Sequence, residues 1–401
     1  MRLFESVLMR VKNSKKPQQK FLCHVMRLML MLPGRVTFRN LSRYSPYHER
    51  TFARWFARDF DFVTLNRAAI VEVVPQSHEH ILAFDPSFVP KSGEHTYGLA
   101  MFWNGASSRA EKGVEIATLA WIDVTHNSAY TLSVEQTSSA APQRDAEETR
   151  IDTYLAHITR VVTTQPLQAL KYLAVDGYFS KKKFVDGICA LDVHVIGKLR
   201  RDAKLRHLYR GPRGHGPGRP KTSDGKVDVH DLARFEPVDV DDDDIALYSQ
   251  VVNHPQLQRN LRVVVVRHLP TGRSALLFST DVALSAQTIY RYYKARFQSE
   301  FLFRDAKQFT GLSDCQARSV SKLRFHFQMS LSAVSFAKLE ARQRAEQPQA
   351  PFSMASLKRR YCNQHLIDRI LDHLATEGRL EKFSAVYEEL CNYGTIEDIV
   401  A

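Results

Sequence analysis

The sequence predicts a mixed α/β protein with a β-rich insertion and helical regions at both ends, on three observations. Apolar, β-branched and aromatic runs succeed one another from residue 80 to about 134, then helical and strand-like segments alternate to about residue 200. A Gly/Pro-rich loop and a second set of strand-like runs interrupt that order between residues 201 and 280. Helical periodicity returns after residue 281 and, before the strands begin, also marks the first 75 residues. Strands in succession followed by alternating helices and strands are the pattern of a mixed sheet flanked by helices. The expected division is therefore 1–75 helical and basic, 76–200 the first part of the α/β core, 201–280 the insertion, 281–325 the closing helix of the core, and 326–401 a helical C-terminal region suited to dimerisation.

The helical start is also the first basic block. Residues 1–60 hold 13 Lys/Arg against 3 Asp/Glu, in a chain of net charge +13. A second block, Lys198–Lys221, holds 9 Lys/Arg against one acid, Asp202. A merely solvated surface mixes both signs, so two one-signed blocks point to a polyanionic partner, and nucleic acid is the commonest. Within the first block, Thr37–Tyr44 reads as a short helix, and Ser45-Pro46 as the start of a second, with Ser as N-cap. Phe52, Trp55 and Phe56 then share a buried face, while Arg50, Arg54 and Arg58 share another. This fits a helix-turn-helix that reads a DNA end as well as it fits an ordinary basic helical hairpin.

The strand runs are His80–Phe84, Tyr97–Trp103, Val114–Asp123 and Ala129–Val134. A helical stretch follows from about Arg144 to Val162, then a strand ending at Asp176, a helix near Lys181–Leu191 and the strand VHVIGKL. In the insertion, Ile245–Val252, Leu261–His268 and Ala275–Ser279 read as strands. The acidic run Asp239–Asp244 reads first as a solvated turn, because consecutive carboxylates diverge. One long helix is expected from Leu284 to a cap at Gly311.

That helix carries the most informative pattern. Tyr293, Arg296, Glu300 and Lys307 fall within a stripe roughly 60° wide on an ideal helix, and Arg304 joins them. An i, i+4 ion pair on an exposed helix would explain one Glu with one cation. Three cations and a phenol around a single carboxylate suit a site that also holds phosphates, and Phe297, Phe301 and Phe303 beside the stripe indicate close packing.

The spacing Y-x2-R-x3-E-x6-K resembles the signature helix of the bacterial insertion sequence four transposases, complete here as Tyr293, Arg296, Glu300 and Lys307. That family belongs to the DDE transposases, whose catalytic core is ribonuclease H-like. The resemblance implies an Asp on the first core strand and another at the end of a later one. Asp85, after the apolar run ILAF, and Asp176, after YLAV, meet both demands. It further implies that Asp85, Asp176 and Glu300 are the catalytic carboxylates and hold two Mg2+ (or Mn2+) ions, with Asp85 bridging them. Tyr293, Arg296, Lys307 and Arg304 are then DNA contacts, as are Arg50 and Arg54 of the first basic block. The implied activity is cleavage at transposon ends and transfer of the 3′-OH strand to target DNA, by a homodimer acting on double-stranded DNA. A nuclease that cuts without joining and an inert DNA-binding descendant are the competing expectations.

Hairpin-forming relatives use an aromatic residue of the insertion, but Trp55, Trp103 and Trp121 all lie elsewhere, which leaves Tyr209 or Tyr248 for that part. Arg219, in GPGRPK, resembles the core of an A·T-hook, though six residues are a weak signal and a flexible basic loop on phosphates is the favoured reading. The five cysteines show no paired metal-binding spacing, and the sixteen histidines, His78 and His80 among them, read as surface or core residues. No phosphate-cradling G-x4-G-K-S/T loop is present. The longest apolar run near the start, Phe21–Leu32, is too short for a bilayer. A reduced, cytoplasmic, nucleoid-associated protein with no membrane partner is expected.

Overall fold

The computed structural model describes residues 2–11, 14–137, 149–211, 221–344, 352–375 and 387–392. Five helices lead: α1 (Arg2–Arg10), α2 (Lys16–Met31), α3 (Phe38–Arg43), α4 (Glu49–Trp55) and α5 (Phe62–Val73). Strands β1 (His80–Pro90), β2 (Ala100–Asn104), β3 (Arg109–Asp123) and β4 (Ser128–Gln136) follow. Next come α6 (Arg150–Thr164), β5 (Tyr172–Ala174), α7 (Lys182–Cys189) and β6 (His194–Leu199). Six strands occupy the expected insertion and its end: β7 (Arg206–Leu208), β8 (Ser223–Lys226), β9 (Glu236–Val238), β10 (Ile245–His254), β11 (Arg259–His268) and β12 (Ser274–Ser279). The chain closes with α8 (Ala286–Ala295), α9 (Gln298–Phe309), α10 (Val320–Arg344), α11 (Met354–Ala375) and α12 (Tyr387–Asn392). The class is mixed α/β with helical ends, as the sequence predicts.

The chain forms two compact units. One comprises Met1–His78, Pro86–Gln143 and Ser299–Ala401, and the other Glu79–Asp85 and Arg144–Gln298. In the first, β3 pairs antiparallel with β2 near its start (Ala100↔Gly113) and with β4 toward its end (Ile116↔Gln136). Helix α10 packs on β4, and every residue from Phe325 to Ala337 is buried. A helix enclosed on all sides must satisfy its polar residues internally. Two of its serines are so satisfied: Ser335 Oγ accepts from Thr131 N at 2.8 Å, and Ser330 Oγ meets Thr310 Oγ1 at 2.9 Å.

In the second unit β1 runs parallel to β5, and β5 parallel to β6. The sheet then turns antiparallel through β12, β11, β10, β7 and β8, with β9 also on β10. The strands of the insertion thus extend the core sheet: β12 pairs with β6 at Leu276↔Leu199. A sequence reading sees only strand texture and cannot assign such non-local partners. Behind β1 and β5 lies an aromatic core in which Phe84 meets Tyr154, His157 and Phe179 at 5.5–5.7 Å between ring centroids. Each such buried ring contributes roughly 1.5–3 kcal/mol, so the strand ends that carry the candidate carboxylates are firmly anchored.

Three local expectations are corrected. Helix α4 begins at Glu49 and is capped by His48, whose side chain accepts from Arg50 N. Ser45 is drawn away instead, its hydroxyl accepting from Tyr47 N and bonding to His24. Strand β1 continues through Asp85 to Pro90, so Asp85 lies inside a strand and not after one. The single helix expected from Leu284 to Gly311 is interrupted between α8 and α9, where Phe297 N bonds to Lys294 O, an i→i−3 contact. The break is a tightened turn of the 3-10 kind. Gly311 does end α9, with φ of +71°, and a Cβ there would strike Val36 at 2.5 Å.

Candidate active site

Two of the three predicted carboxylates follow strands that pair in parallel, β1 and β5. In the second unit Leu82 faces Leu173 and Ala83 faces Ala174 across the parallel pair β1–β5, and Asp85 and Asp176 each come two residues after that last pair. Adjacent strands lie about 4.8 Å apart, so two carboxylates issue from one sheet end. Backbone pairing persists past the last residue of β5, since Val175 N donates to Ile196 O at 2.9 Å. Asp176 then caps a 3-10 turn, Gly177–Phe179, with Oδ1 accepting from Tyr178 N at 2.9 Å. Among the described residues no hydrogen bond or ion pair engages its other oxygen. Asp85 is half-buried, its side chain 16% exposed, and the guanidinium of Arg296 lies 3.7 Å from its Oδ1.

Arg296 is itself 12% exposed and lies over the ring of Tyr293, 5.6 Å from the centroid. The first two signature residues therefore act as one group within the second unit, a phenol backing a guanidinium that faces Asp85. Helix α8, which carries Tyr293, is fixed by Tyr292, whose ring packs 5.5 Å from that of Tyr172. Tyr172 in turn donates to Asp281 at 2.9 Å, and burial together with that carboxylate pushes its phenol up to about 12.

The remaining signature residues stand on α9, in the first unit. The interruption after Ala295 means that the stripe is divided, Tyr293 and Arg296 before it and Glu300, Arg304 and Lys307 after it. Within α9 the i, i+4, i+7 spacing still keeps Glu300, Arg304 and Lys307 on one face. Lys307 Nζ donates to Ser87 Oγ at 3.0 Å, two residues beyond Asp85 in the chain. Arg304 forks onto Asp305 Oδ1 at 3.0 and 3.1 Å and lies over Phe301.

The first unit also presents a basic cleft of about 600 Å³ lined by Arg39, Arg50, Arg318 and Lys322, with Glu49 the acid among them. Arg50 and Arg54 are exposed on α4, and Arg58 stacks over Trp55 at 4.2 Å. In the second unit Tyr209 lines a cleft of about 420 Å³ together with Arg210 and Arg234, and Lys221 sits 4.7 Å from its ring. Arg219 lies outside the described residues.

A model of the DDE superfamily endonuclease family matches residues 13–244. The chain belongs to that family. Enzymes of this DDE superfamily are nucleases and transposases that act on DNA with divalent metal ions, which fits a register-paired set of oxygen donors. The match covers Asp85 and Asp176 and stops short of the signature helices. No curated protein matches the sequence of this DDE family member. No helix among the described residues is long and apolar enough to cross a membrane.

One cluster escaped the sequence reading altogether. His78, Asp123 and His126 of the first unit converge with Arg342. The only local clue is the spacing of Asp123 and His126, three residues apart across the β3–β4 turn. His78 is 45 residues before Asp123, and Arg342 is 219 residues after it.

Proposed function

We propose that this DDE endonuclease is a DNA transposase of the insertion sequence four kind, which cuts at transposon ends and joins the freed 3′-OH strand to target DNA. Asp85, Asp176 and Glu300 are its catalytic carboxylates. The observation that carries the reading is the parallel register of β1 and β5, whose offset, continued two residues, matches Asp85 to Asp176, with the Arg296 guanidinium 3.7 Å from Asp85. Two contacts support Glu300 as the third member. The signature cations on either side of it in the chain both reach the FDPSF segment, Arg296 at Asp85 within one unit and Lys307 at Ser87 within the other.

The donor set fits Mg2+ or Mn2+, because carboxylate oxygens suit hard cations that keep several waters. Two such ions about 4 Å apart activate the attacking oxygen of a phosphodiester exchange and stabilise the leaving one. The protein's own contribution is positional. Arg296 faces Asp85 and offers a fork that suits a phosphate. Tyr293 orients Arg296 by stacking, and Lys307 and Arg304 place point charge along α9. Arg50 and Arg54, with the basic cleft beside α4, hold the backbone of the transposon end, and the loop with Arg219 adds a further contact. Tyr209 supplies an aromatic face in the insertion for a displaced base. The active form is a homodimer on paired ends, associated with the nucleoid.

Hydrolytic cutting without joining is the second reading, favoured by the endonuclease description of the family. Incubating the purified protein in Mg2+ with the DNA that flanks its own gene separates the two. Joined or hairpin products are expected, whereas nicks alone would establish the second reading. Glu300→Ala should bind end DNA and leave it intact. Cutting by that variant would exclude Glu300, and a wild type that shifts DNA without ever cutting it would mark an inert relative.

A further inference from the structure

We propose that His78, Asp123 and His126 form a site for one transition-metal ion of the Zn2+ class, separate from the catalytic carboxylates, and that Arg342 competes with the ion for Asp123.

Geometry carries the inference. His78 Nδ1 lies 3.0 Å from Asp123 Oδ2, His126 Nδ1 lies 3.6 Å from the same oxygen, and the two nitrogens are 3.3 Å apart. Zinc–nitrogen and zinc–oxygen bonds near 2.0–2.1 Å in a tetrahedron separate neighbouring donors by about 3.3 Å. The three atoms thus outline one face of such a tetrahedron. The rings stack at 4.4 Å and 28°, so both Nδ1 atoms face the carboxylate together.

The site is built and enclosed. Asp123 is fully buried, and the side chains of His78, His126 and Arg342 are only 14%, 16% and 17% exposed. Asp123 Oδ1 is spent on His126 N at 3.1 Å, which aims Oδ2 at the cluster. Three segments converge: the exit of α5, the β3–β4 turn and the last turn of α10. Burial alone would raise the Asp123 carboxyl, but hydrogen bonds from His78 and Arg342 hold it below the usual range. Burial and the Arg342 charge lower the His126 imidazole.

The resident cation is a guanidinium. Arg342 donates to Asp123 Oδ2 at 2.7 Å and points its other terminal nitrogen at both imidazoles, 3.4 Å from His78 Nδ1 and 3.2 Å from His126 Nδ1. One nitrogen shared between two rings at such distances bonds neither well. A divalent ion satisfies all three donors at once, and Arg342, near the end of α10, can swing outward. Imidazole with one carboxylate favours zinc and its neighbours over Mg2+, which distinguishes this cluster from an all-oxygen set.

Metal-stripped full-length protein, dialysed against Zn2+ in excess Mg2+, tests the proposal. One Zn2+ per chain should be retained, with a rise in Tm, and Co2+ in its place should give the visible absorption of a low-coordinate cobalt centre. An Asp85→Asn/Asp176→Asn double variant should retain the same single ion. His126→Ala should weaken binding roughly 100-fold or more. Arg342→Met keeps every ligand and removes the competitor, so it should bind Zn2+ about tenfold more tightly than wild type, a shift of 1.4 kcal/mol. The proposal is overturned if wild type retains no zinc, if His126→Ala retains it, or if Arg342→Met loses stability without gaining zinc. Should His126→Ala fail to fold, the Arg342→Met arm decides alone.

Discussion

Two clusters of metal-competent residues occupy the two units, and they differ in nearly every physical respect. Asp85 and Asp176 lie on and just after the parallel strands β1 and β5, half-buried, with oxygen donors and one guanidinium 3.7 Å from Asp85. His78, Asp123 and His126 are drawn from separated segments, are almost wholly enclosed, and hold their guanidinium at 2.7 Å. Access to solvent and hard donors suit chemistry on a bulky phosphodiester, where ions must keep positions open for water and substrate. Enclosure and borderline donors suit a structural clamp, whose value lies in joining segments. Conserving charge is common to both; only the first arrangement leaves room for a reaction.

That contrast can be broken most forcefully at the first cluster. Asp85→Asn should lower DNA cleavage by about 10³-fold or more, since several kcal/mol of transition-state stabilisation depend on the bound ions. Its thermal stability should stay close to that of wild type, and a calorimetric scan beside the cleavage assay checks both. The reverse pattern is expected of Asp123→Asn. Removing one partner of a buried ion pair costs about 3–5 kcal/mol of stability, while the Mg2+ concentration needed for half-maximal cleavage should not move. A change in that Mg2+ dependence would mean that the clusters are not separate.

A smaller effect comes from the core behind Asp85. Burial, and then the charge of Arg160, push the imidazole of His157 down to about 3. The ring titrates near 6.5 in the unfolded chain, so its neutral, buried form contributes fully above that pH. Its contribution is lost as pH falls from 6.5 toward 3, at about 1.4 kcal/mol per pH unit. Urea unfolding at pH 7 and pH 4.5 should therefore show a loss roughly 2–3 kcal/mol smaller in His157→Phe than in wild type. Equal losses in the two proteins would place the acid sensitivity elsewhere.

Smaller again is the expected role of Arg296. Arg296→Ala should cost roughly 10- to 100-fold in cleavage, the worth of one charge-assisted contact. At the far end of the range, Arg50→Ala and Arg54→Ala should each reduce the salt slope of DNA binding by about 1, with cleavage of saturated complexes unchanged.

Part of the candidate site was legible because it is local: the apolar runs before Asp85 and Asp176 are visible in the sequence. The parallel pairing of those runs was not, since three strands and a helix lie between them. The break at Arg296–Phe297 was not legible. Both halves carry helical periodicity and no Gly or Pro marks the interruption. The extension of the core sheet by β12, β11 and β10 was equally hidden, since strand texture does not name a partner. His78 read as one histidine among sixteen, and its meeting with Asp123 and Arg342 is a product of tertiary packing alone.

The most direct measurement exchanges a hard ligand for a soft one at the acid pair. Asp176→Cys, assayed on DNA carrying the flanks of its own gene, should be inactive in Mg2+ and regain cutting in Mn2+, because a thiolate accepts the softer ion far better. That restoration would tie the residue to the metal that cuts. Equal activity in the two ions, or no activity in either from a variant that folds and binds DNA, would contradict a metal-ligating role for Asp176.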